Sequence, residues 1–303
     1  MIHELSYERL LTTSKRINWR IEDVIGPDKP MDFSKPFLPE SFARTVTLDF
    51  LSEAERLKLN QIRARGYLAM FELVEYCILP LVEQHAPSRE DQDPFRTPAL
   101  EQFHAEELKH IELFRRFRRA FNEGFEVDCG FIGPAEDIVA AVSNHSALGL
   151  ALFVLGIEWS TQRHYLDSVR ADEGLDPQFK SLLKHHWQEE SQHARLDALL
   201  FKELAAKSDR DKIARAVDDF LDIGGLVDGK LAEQTALDLV SLEAAIGRSL
   251  SPAQRDRFIQ VQHQAMRWTF LGSALVNKGF LEAVGRVSPA GRAKLEQVAP
   301  AFC

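Results

Sequence analysis

The sequence predicts an all-α protein, a bundle of four long helices followed by shorter C-terminal helices. Long stretches repeat their apolar residues with the helical period, and no stretch sustains the period of two that is typical of strands. Four of these stretches are long enough to share one core, which is the arrangement of a helical bundle. A chain of 303 residues is long enough to form this bundle as one domain.

The first part of the bundle is predicted to begin after an irregular N-terminal segment. Residues 1–48 contain four prolines that interrupt any helical pattern. The first long helix is predicted over 52–84, and Ser52 and Glu55 have the spacing of a capping box at its start. The stretch "HAPSREDQDPFRTP" that follows is rich in turn-forming residues, so it is predicted to be a loop.

The second long helix is predicted over 97–123. Thr97 is a suitable N-cap, and Pro98 suits the first turn, where its missing amide hydrogen is not needed. The third helix is predicted over 135–171 and the fourth over 177–207, with "DEGLDP" between them. The four segments supply the long helices that a bundle requires.

Shorter helical patterns follow the fourth long helix, and no Ser/Gly-rich linker or internal repeat separates them from it. We therefore interpret 1–303 as a single domain, composed of the irregular segment 1–48, the bundle 49–208 and accessory helices over 209–303. The accessory helices are predicted at about 209–222, 230–248, 252–283 and 289–298.

Composition and charge exclude several classes of function. The formal net charge of −9 and the isoelectric point near 5.6 disfavour binding to nucleic acid or to anionic membranes. The three cysteines form no C-x-x-C pair, and their odd number suggests a reducing compartment. The N-terminus lacks a signal-peptide core, and the longest apolar run, 147–157, is too short to cross a bilayer. We expect a cytoplasmic protein.

The fourth predicted helix contains an unusual concentration of metal-binding side chains in "KHHWQEESQHARLD". His186, Glu190 and His193 lie at i, i+4 and i+7, so they form one stripe of the helix. Leu183 and Trp187 lie beside them and give this stripe an apolar character. A buried carboxylate without a partner is costly, so we expect the stripe to face a compensating metal.

The other three long helices carry matching residues on apolar faces. Glu107 and His110 form an E-x-x-H pair in the second helix, and Glu158 follows a long apolar run in the third. The first helix carries both Glu72 and Glu75, and because it is apolar on nearly every side, periodicity does not separate them. One Glu, E-x-x-H, one Glu and E-x-x-H is the ligand arrangement of ferritin-like dimetal bundles.

This residue set favours two divalent ions of iron or manganese. Four carboxylates neutralise the charge of two such ions, and imidazole suits iron better than magnesium or calcium. The competing interpretation, buried ion pairs, would require basic residues on the same faces, and only Arg65 on the first helix is a candidate. The sequence therefore predicts a dimetal centre within 49–208.

Several neighbours of the stripes have less specific predicted roles. Asp197, one turn after His193, is a candidate to orient that imidazole, and a plain surface position is the alternative. Tyr165 lies two turns after Glu158 and is a candidate for a redox role beside the metals. Glu106 shares a helix face with polar residues, so it is predicted to be solvated.

The pattern resembles the dinuclear-iron arylamine N-oxygenases, typified by p-aminobenzoate N-oxygenase. Those enzymes carry H-x-x-x-E-x-x-H on the fourth helix, and this chain has the same pattern at 186–193. The resemblance covers about 50–205, and the family's interval between its first two glutamates selects Glu72 over Glu75. The residues that match the family's ligands are Glu72, Glu107, His110, Glu158, His186, Glu190 and His193.

The resemblance implies a diiron oxygenase that activates O2 and oxidises a small organic substrate, by N-oxygenation of an arylamine. It also implies an external electron donor, either a reductase or a ferredoxin-like protein. The alternatives are another ferritin-like diiron or dimanganese oxidase that acts on C–H bonds, and a non-enzymatic iron or manganese binder. Two Fe ions are expected, with Mn or mixed Mn/Fe as the alternatives, and the large helical surface suggests a homodimer.

Overall fold

The computed structural model describes residues 5–85 and 93–303, and these residues contain helices and no strand. The helices in chain order are α1 (Tyr7–Ser14), α2 (Ile21–Val24), α3 (Glu40–Ala43), α4 (Glu53–His85), α5 (Arg96–Gly124), α6 (Ala135–Ser143), α7 (Ala147–Arg163), α8 (Pro177–Ala206), α9 (Arg210–Ile246), α10 (Pro252–Arg267), α11 (Ser273–Leu275), α12 (Lys278–Val287) and α13 (Pro289–Val298).

The bundle is formed by two extensively packed pairs of helices, α4 with α5 and α7 with α8. α4 is buried along most of its length because it also contacts α7, α9 and α6. The capping box predicted at its start is confirmed: Ser52 and Glu55 exchange hydrogen bonds of 2.8 and 3.3 Å. The predicted loop between α4 and α5 lies mostly outside the described residues.

The N-terminal segment is more ordered than the prolines predict, because it packs on the bundle. It contains three short helices, of which α1 contacts α5 and α8 and α3 contacts α4 and α10. The Asn60 side chain on α4 holds the chain between them, since its oxygen accepts hydrogen bonds from the backbone amides of Phe37 and Leu38. The prediction of an irregular segment over 1–48 is therefore wrong for these helices.

Two predicted helix boundaries also differ from the structure. The predicted helix 135–171 is divided into α6 and α7, because Ser146 caps α7 by accepting a hydrogen bond from the Gly149 amide. The predicted helices 209–222 and 230–248 form one helix, α9. Gly224 and Gly225 face open space there, while Leu231 is fully buried, so packing maintains the helix through the glycines.

The predicted helix 252–283 is divided into α10, a π-helical turn, α11 and α12. The π turn spans Trp268–Gly272, and a second one, His164–Val169, extends α7. α9 and α10 pack together, and α9 also contacts α4 and α7, so the accessory helices cover one side of the bundle. None of the helices among the described residues has the length and apolar character needed to span a membrane.

Candidate metal centre

Seven buried side chains from the four bundle helices converge between α4, α5, α7 and α8. Within this cluster, two overlapping groups each offer four ligand atoms that lie within 4.8 Å of one another. The first group is Glu75, His110, His186 and Glu190, and the second is Glu107, His110, Glu190 and His193. Glu158 of α7 joins them through a side-chain hydrogen bond with Glu190. The full set, which we call the carboxylate–histidine cluster, is Glu75, Glu107, His110, Glu158, His186, Glu190 and His193.

Glu190 occupies the middle of the cluster. Its Oε1 atom lies 3.0 Å from His110 Nδ1 and 3.0 Å from His186 Nε2. The same oxygen lies 3.4 Å from His193 Nδ1. Three imidazole nitrogens therefore surround one carboxylate oxygen, as the i, i+4 and i+7 spacing on α8 predicts for two of them.

Two further carboxylates complete the contacts to the histidines. Glu75 Oε1 lies 3.2 Å from His186 Nε2. Glu107 contacts both other imidazoles, since its Oε1 is 2.9 Å from His193 Nδ1 and its Oε2 is 3.3 Å from His110 Nδ1. Glu107 and Glu190 thus each face more than one histidine, which suits carboxylates that lie between two ions.

The carboxylate oxygens fit a cation better than they fit the protein around them. Each of the four glutamates has one buried oxygen that accepts no hydrogen bond of good geometry among the described residues, although histidine nitrogens lie close to two of these oxygens, and a buried polar atom of this kind is costly. Two divalent cations would satisfy these oxygens and match the charge of four carboxylates. The oxygens are Glu75 Oε2, Glu107 Oε1, Glu158 Oε2 and Glu190 Oε1.

Protons substitute for this positive charge when the cluster holds no cation. Burial and the nearby charges of Glu107 and Glu190 raise the pKa of both Glu75 and Glu158 well above its ordinary value. Burial by itself would raise the pKa of Glu107, but the positive charge of His193 together with hydrogen bonds from Glu75 and His110 lowers it to about 2. The cluster therefore retains protons on some carboxyl groups while others are ionised.

The choice of Glu72 as the ligand from the first helix does not fit the structure. The Glu72 carboxylate accepts from Arg115 Nε at 2.9 Å and from Arg118 Nη1 at 2.5 Å, both on α5. Glu75 lies one turn further along α4, and it is this glutamate that meets His110 and His186. Glu75 therefore replaces Glu72 as the ligand from this helix. The pattern of residues on α4 cannot predict this, because the arginines that bind Glu72 are on α5.

The outward-facing nitrogen of His110 is bound by Glu189. His110 Nε2 lies 2.8 Å from Glu189 Oε2, and Lys109 forms an ion pair with the other oxygen of the same carboxylate. Trp19, from the N-terminal segment, stacks on the His110 ring with a centroid distance of 6.1 Å. These contacts fix the ring so that Nδ1 faces the cluster, as metal-binding histidines generally require.

His193 has the corresponding partner in Glu106, which is buried and not solvated as predicted. His193 Nε2 lies 2.8 Å from Glu106 Oε2, and Glu106 also accepts a hydrogen bond from Ser14 Oγ of α1. The helix-face pattern of α5 misleads here because α1 covers that face. Ligating imidazoles generally need an oxygen-bearing partner on their outer nitrogen. That requirement was the available signal that a nearby glutamate would be buried.

The two other predicted neighbours of the cluster have different positions. Asp197 is buried, yet neither of its oxygens has a hydrogen-bond partner among the described residues, so it does not orient His193. Tyr165 stacks on Trp187 with ring centroids 4.5 Å apart, and among the described residues no hydrogen bond, ion pair or ring contact joins it to the cluster. Both predictions are corrected: Glu106, and not Asp197, binds the outer nitrogen of His193, and Tyr165 packs on Trp187.

Comparison with known proteins supports the fold. No protein-family model matches the chain, and no curated protein matches it. The structure is similar to that of an R2-like ligand-binding oxidase variant, solved with an anaerobically reconstituted Mn/Fe cofactor. The TM-score is 0.50 and the sequence identity is 16%, and the match covers 95% of this chain and 95% of the oxidase chain. The fold is ferritin-like. A second variant, aerobically reconstituted, has a TM-score of 0.49 and 15% identity, covering 87% and 92%.

Proposed function

We propose that the protein is a dinuclear metal oxidase that activates O2 to oxidise a small organic substrate. The observation that carries the proposal is the pair of overlapping four-ligand groups, which share His110 and Glu190. A mixed set of imidazoles and carboxylates suits iron or manganese. The R2-like oxidase with the same fold is described with a Mn/Fe cofactor, which agrees with this choice of metals.

The two groups assign the residues to the two ions. One ion would be held by the group that contains Glu75 and His186, and the other by the group that contains Glu107 and His193. Glu158 is buried beside Glu190 and completes the carboxylate set. When bound, two reduced ions of this kind supply the electrons and open coordination positions that O2 activation needs.

The protein itself excludes water and fixes the ligands. All seven cluster residues are buried, so the site is dry, and electrostatic interactions are stronger there than in water. Glu106 and Glu189 hold the outer nitrogens of His193 and His110, which fixes the tautomers that present Nδ1 to the cluster.

An apolar cavity near the cluster supports a small, ring-sized substrate. It has a volume of about 170 Å³ and lies between α4, α6, α7 and α9. Dry cavities of roughly 150 Å³ lined by Leu, Ile and Phe bind benzene, so this one suits an aromatic ring. Its wall residue Phe270 packs on Phe71, whose ring lies 5.5 Å from that of His186, so two rings separate the cavity from the cluster.

We further propose that the oxidation is N-oxygenation of an arylamine. The support is the third histidine, His186, which faces Glu75 and Glu190 in the cluster as the N-oxygenase resemblance implies. An external electron donor, reductase or ferredoxin-like, would reduce the ions. A homodimer is part of the same proposal, and size-exclusion chromatography with light scattering would establish it.

The test loads the metal-free protein with Fe²⁺, or with Mn²⁺ and Fe²⁺ together, and adds O2, a reductant and a panel of arylamines. The expected result is hydroxylamino or nitro product, lost in Glu107→Ala and retained in Glu112→Ala, a surface variant on the same helix. Phe270→Leu would change the preferred ring size, because it alters the cavity wall. Products oxidised only at carbon would refute N-oxygenation, and absence of O2 consumption would refute the oxidase.

A further inference from the structure

A buried tyrosine–histidine pair lies close to the carboxylate–histidine cluster without belonging to it. Tyr67 on α4 and His164 at the end of α7 are both almost fully buried, with exposed fractions of 4% each. The Tyr67 hydroxyl and His164 Nδ1 are 3.2 Å apart. Burial of such a polar pair in an apolar core is costly, so its presence suggests that the pair has a function.

The pair has a defined direction of proton donation. His164 Nε2 lies 2.9 Å from the Thr269 carbonyl oxygen, which can only accept, so Nε2 carries the hydrogen. Nδ1 is therefore an acceptor, and Tyr67 donates its hydroxyl hydrogen to it. Burial lowers the pKa of His164 to about 3 and raises that of Tyr67, so both groups are neutral at rest.

Two π-helical turns place this pair. His164 begins the π turn His164–Val169, and its partner Thr269 belongs to the π turn Trp268–Gly272. The hydrogen bond from His164 to Thr269 thus joins the only two π turns among the described residues. π turns are rare and occur frequently at functional sites, because they aim a side chain that a regular helix would direct elsewhere.

Aromatic contacts connect the pair to the cluster. The Tyr67 ring lies 4.5 Å from the ring of Phe71, and the Phe71 ring lies 5.5 Å from that of His186. Tyr67 and the cluster residue Glu75 also stand on the same helix, α4, two turns apart. An electron therefore has a short, fully packed path between the Tyr67 phenol and the metal ligands.

We propose that Tyr67 and His164 form a redox relay for the dimetal centre. Tyr67 gives one electron to the oxidised dimetal centre, and its hydroxyl proton passes to His164 Nδ1. The products are a neutral tyrosyl radical, an imidazolium and a centre reduced by one electron. An external one-electron reductant and the return of the proton from His164 restore Tyr67. The inference rests on the proposed function, since that function supplies the oxidant.

Rapid-freeze EPR tests the relay. Metal-loaded, reduced protein is mixed with O2 without substrate, and frozen samples are examined for an organic radical. The expected signal narrows when the protein contains ring-deuterated tyrosine and disappears in Tyr67→Phe. The matched control is Tyr165→Phe, which removes a buried tyrosine that stacks on Trp187 and should retain the signal. In His164→Gln the radical should form about a hundredfold more slowly, the lower end of what a positioned proton acceptor contributes.

The outcomes separate the relay from the proposed function. Metal content, O2 consumption and melting temperature are measured on each variant before EPR, so misfolded or metal-free variants are recognised. A protein that binds two metals and consumes O2 but forms no tyrosyl radical, or forms the same radical in Tyr67→Phe, overturns the relay alone. A protein that binds no metal overturns both, because the oxidant is then missing.

Discussion

Glu72 and Glu75 stand one turn apart on α4, and they have opposite environments. Glu72 is neutralised by two arginines of α5 at the edge of the bundle. Glu75 has no basic neighbour of that kind; it faces histidines and other carboxylates, and one of its oxygens is without a hydrogen-bond partner among the described residues. A satisfied ion pair is a structural feature, whereas a buried excess of carboxylates indicates a binding site for cations.

Substitution of these two glutamates should change the amount of bound metal very differently. Glu75→Ala should remove a ligand of the first four-residue group and lower the bound metal from about two ions to about one, the occupancy left by one intact site. Glu72→Ala should leave metal content unchanged. Plasma mass spectrometry of both variants, loaded identically, measures the difference. Equal metal loss in both would remove the distinction between the two environments.

A smaller effect is expected from the two glutamates that hold the histidines. Glu106→Gln and Glu189→Gln should each weaken metal binding by about ten- to a hundredfold, because the outer nitrogen of one imidazole loses its charged partner. Glu112→Gln, on the exposed side of α5, is the control and should have no effect. Competitive titration against a chelator gives the affinities. Unchanged affinity in both variants would show that these contacts are not needed to orient the ligands.

The pH dependence of metal binding distinguishes the cluster from an ordinary ion pair. Glu75 and Glu158 have raised pKa values in the metal-free protein, and a metal binds only their ionised forms. Metal binding should therefore release protons, and affinity should fall as pH falls, by about tenfold per pH unit for each proton displaced. Calorimetry in buffers of different ionisation enthalpy counts the protons. Binding without proton release would contradict the prediction that Glu75 and Glu158 hold protons in the metal-free protein.

Asp197 has a third kind of environment, and its effect is on folding stability and not on metal binding. It is buried and its oxygens lack partners, so Asp197→Leu should raise the free energy of unfolding by about 1–3 kcal/mol, the cost of an unsatisfied buried group. Asp238→Leu is the contrasting variant, since Asp238 is buried with Arg63 and Gln234. Its removal should destabilise the protein by about 3–5 kcal/mol. Urea unfolding of the metal-free protein measures both, and destabilisation by Asp197→Leu would reveal an unrecognised partner.

The sequence predicts the parts of the site that lie on one helix face. His186, Glu190 and His193 are separated by helical spacing, and Glu107 and His110 stand in an apolar stripe, so these positions follow from the period of 3.6 residues. The all-α fold follows in the same way from long apolar periodicities. The decision between Glu72 and Glu75 does not, because α4 is buried on nearly every side and the deciding arginines are on α5.

Contacts from distant segments account for the remaining differences. The burial of Glu106 depends on Ser14 in the short helix α1. This helix lies in the segment that its prolines led us to predict as irregular. The continuity of α9 through its glycines depends on packing against α4, α7 and α10 rather than on local propensity. Both are tertiary effects, and a single sequence carries no direct signal of which segments will cover a given helix face.

We propose that the carboxylate–histidine cluster holds two metal ions. The most direct measurement is the metal stoichiometry of protein purified without an affinity metal column and then loaded with Fe²⁺ under anaerobic conditions, compared with Glu190→Ala. We expect about two ions per chain in the unaltered protein. We expect loss of both ions in the variant, since Glu190 belongs to both four-residue groups. No tightly bound metal, or full occupancy in Glu190→Ala, would contradict the dimetal site.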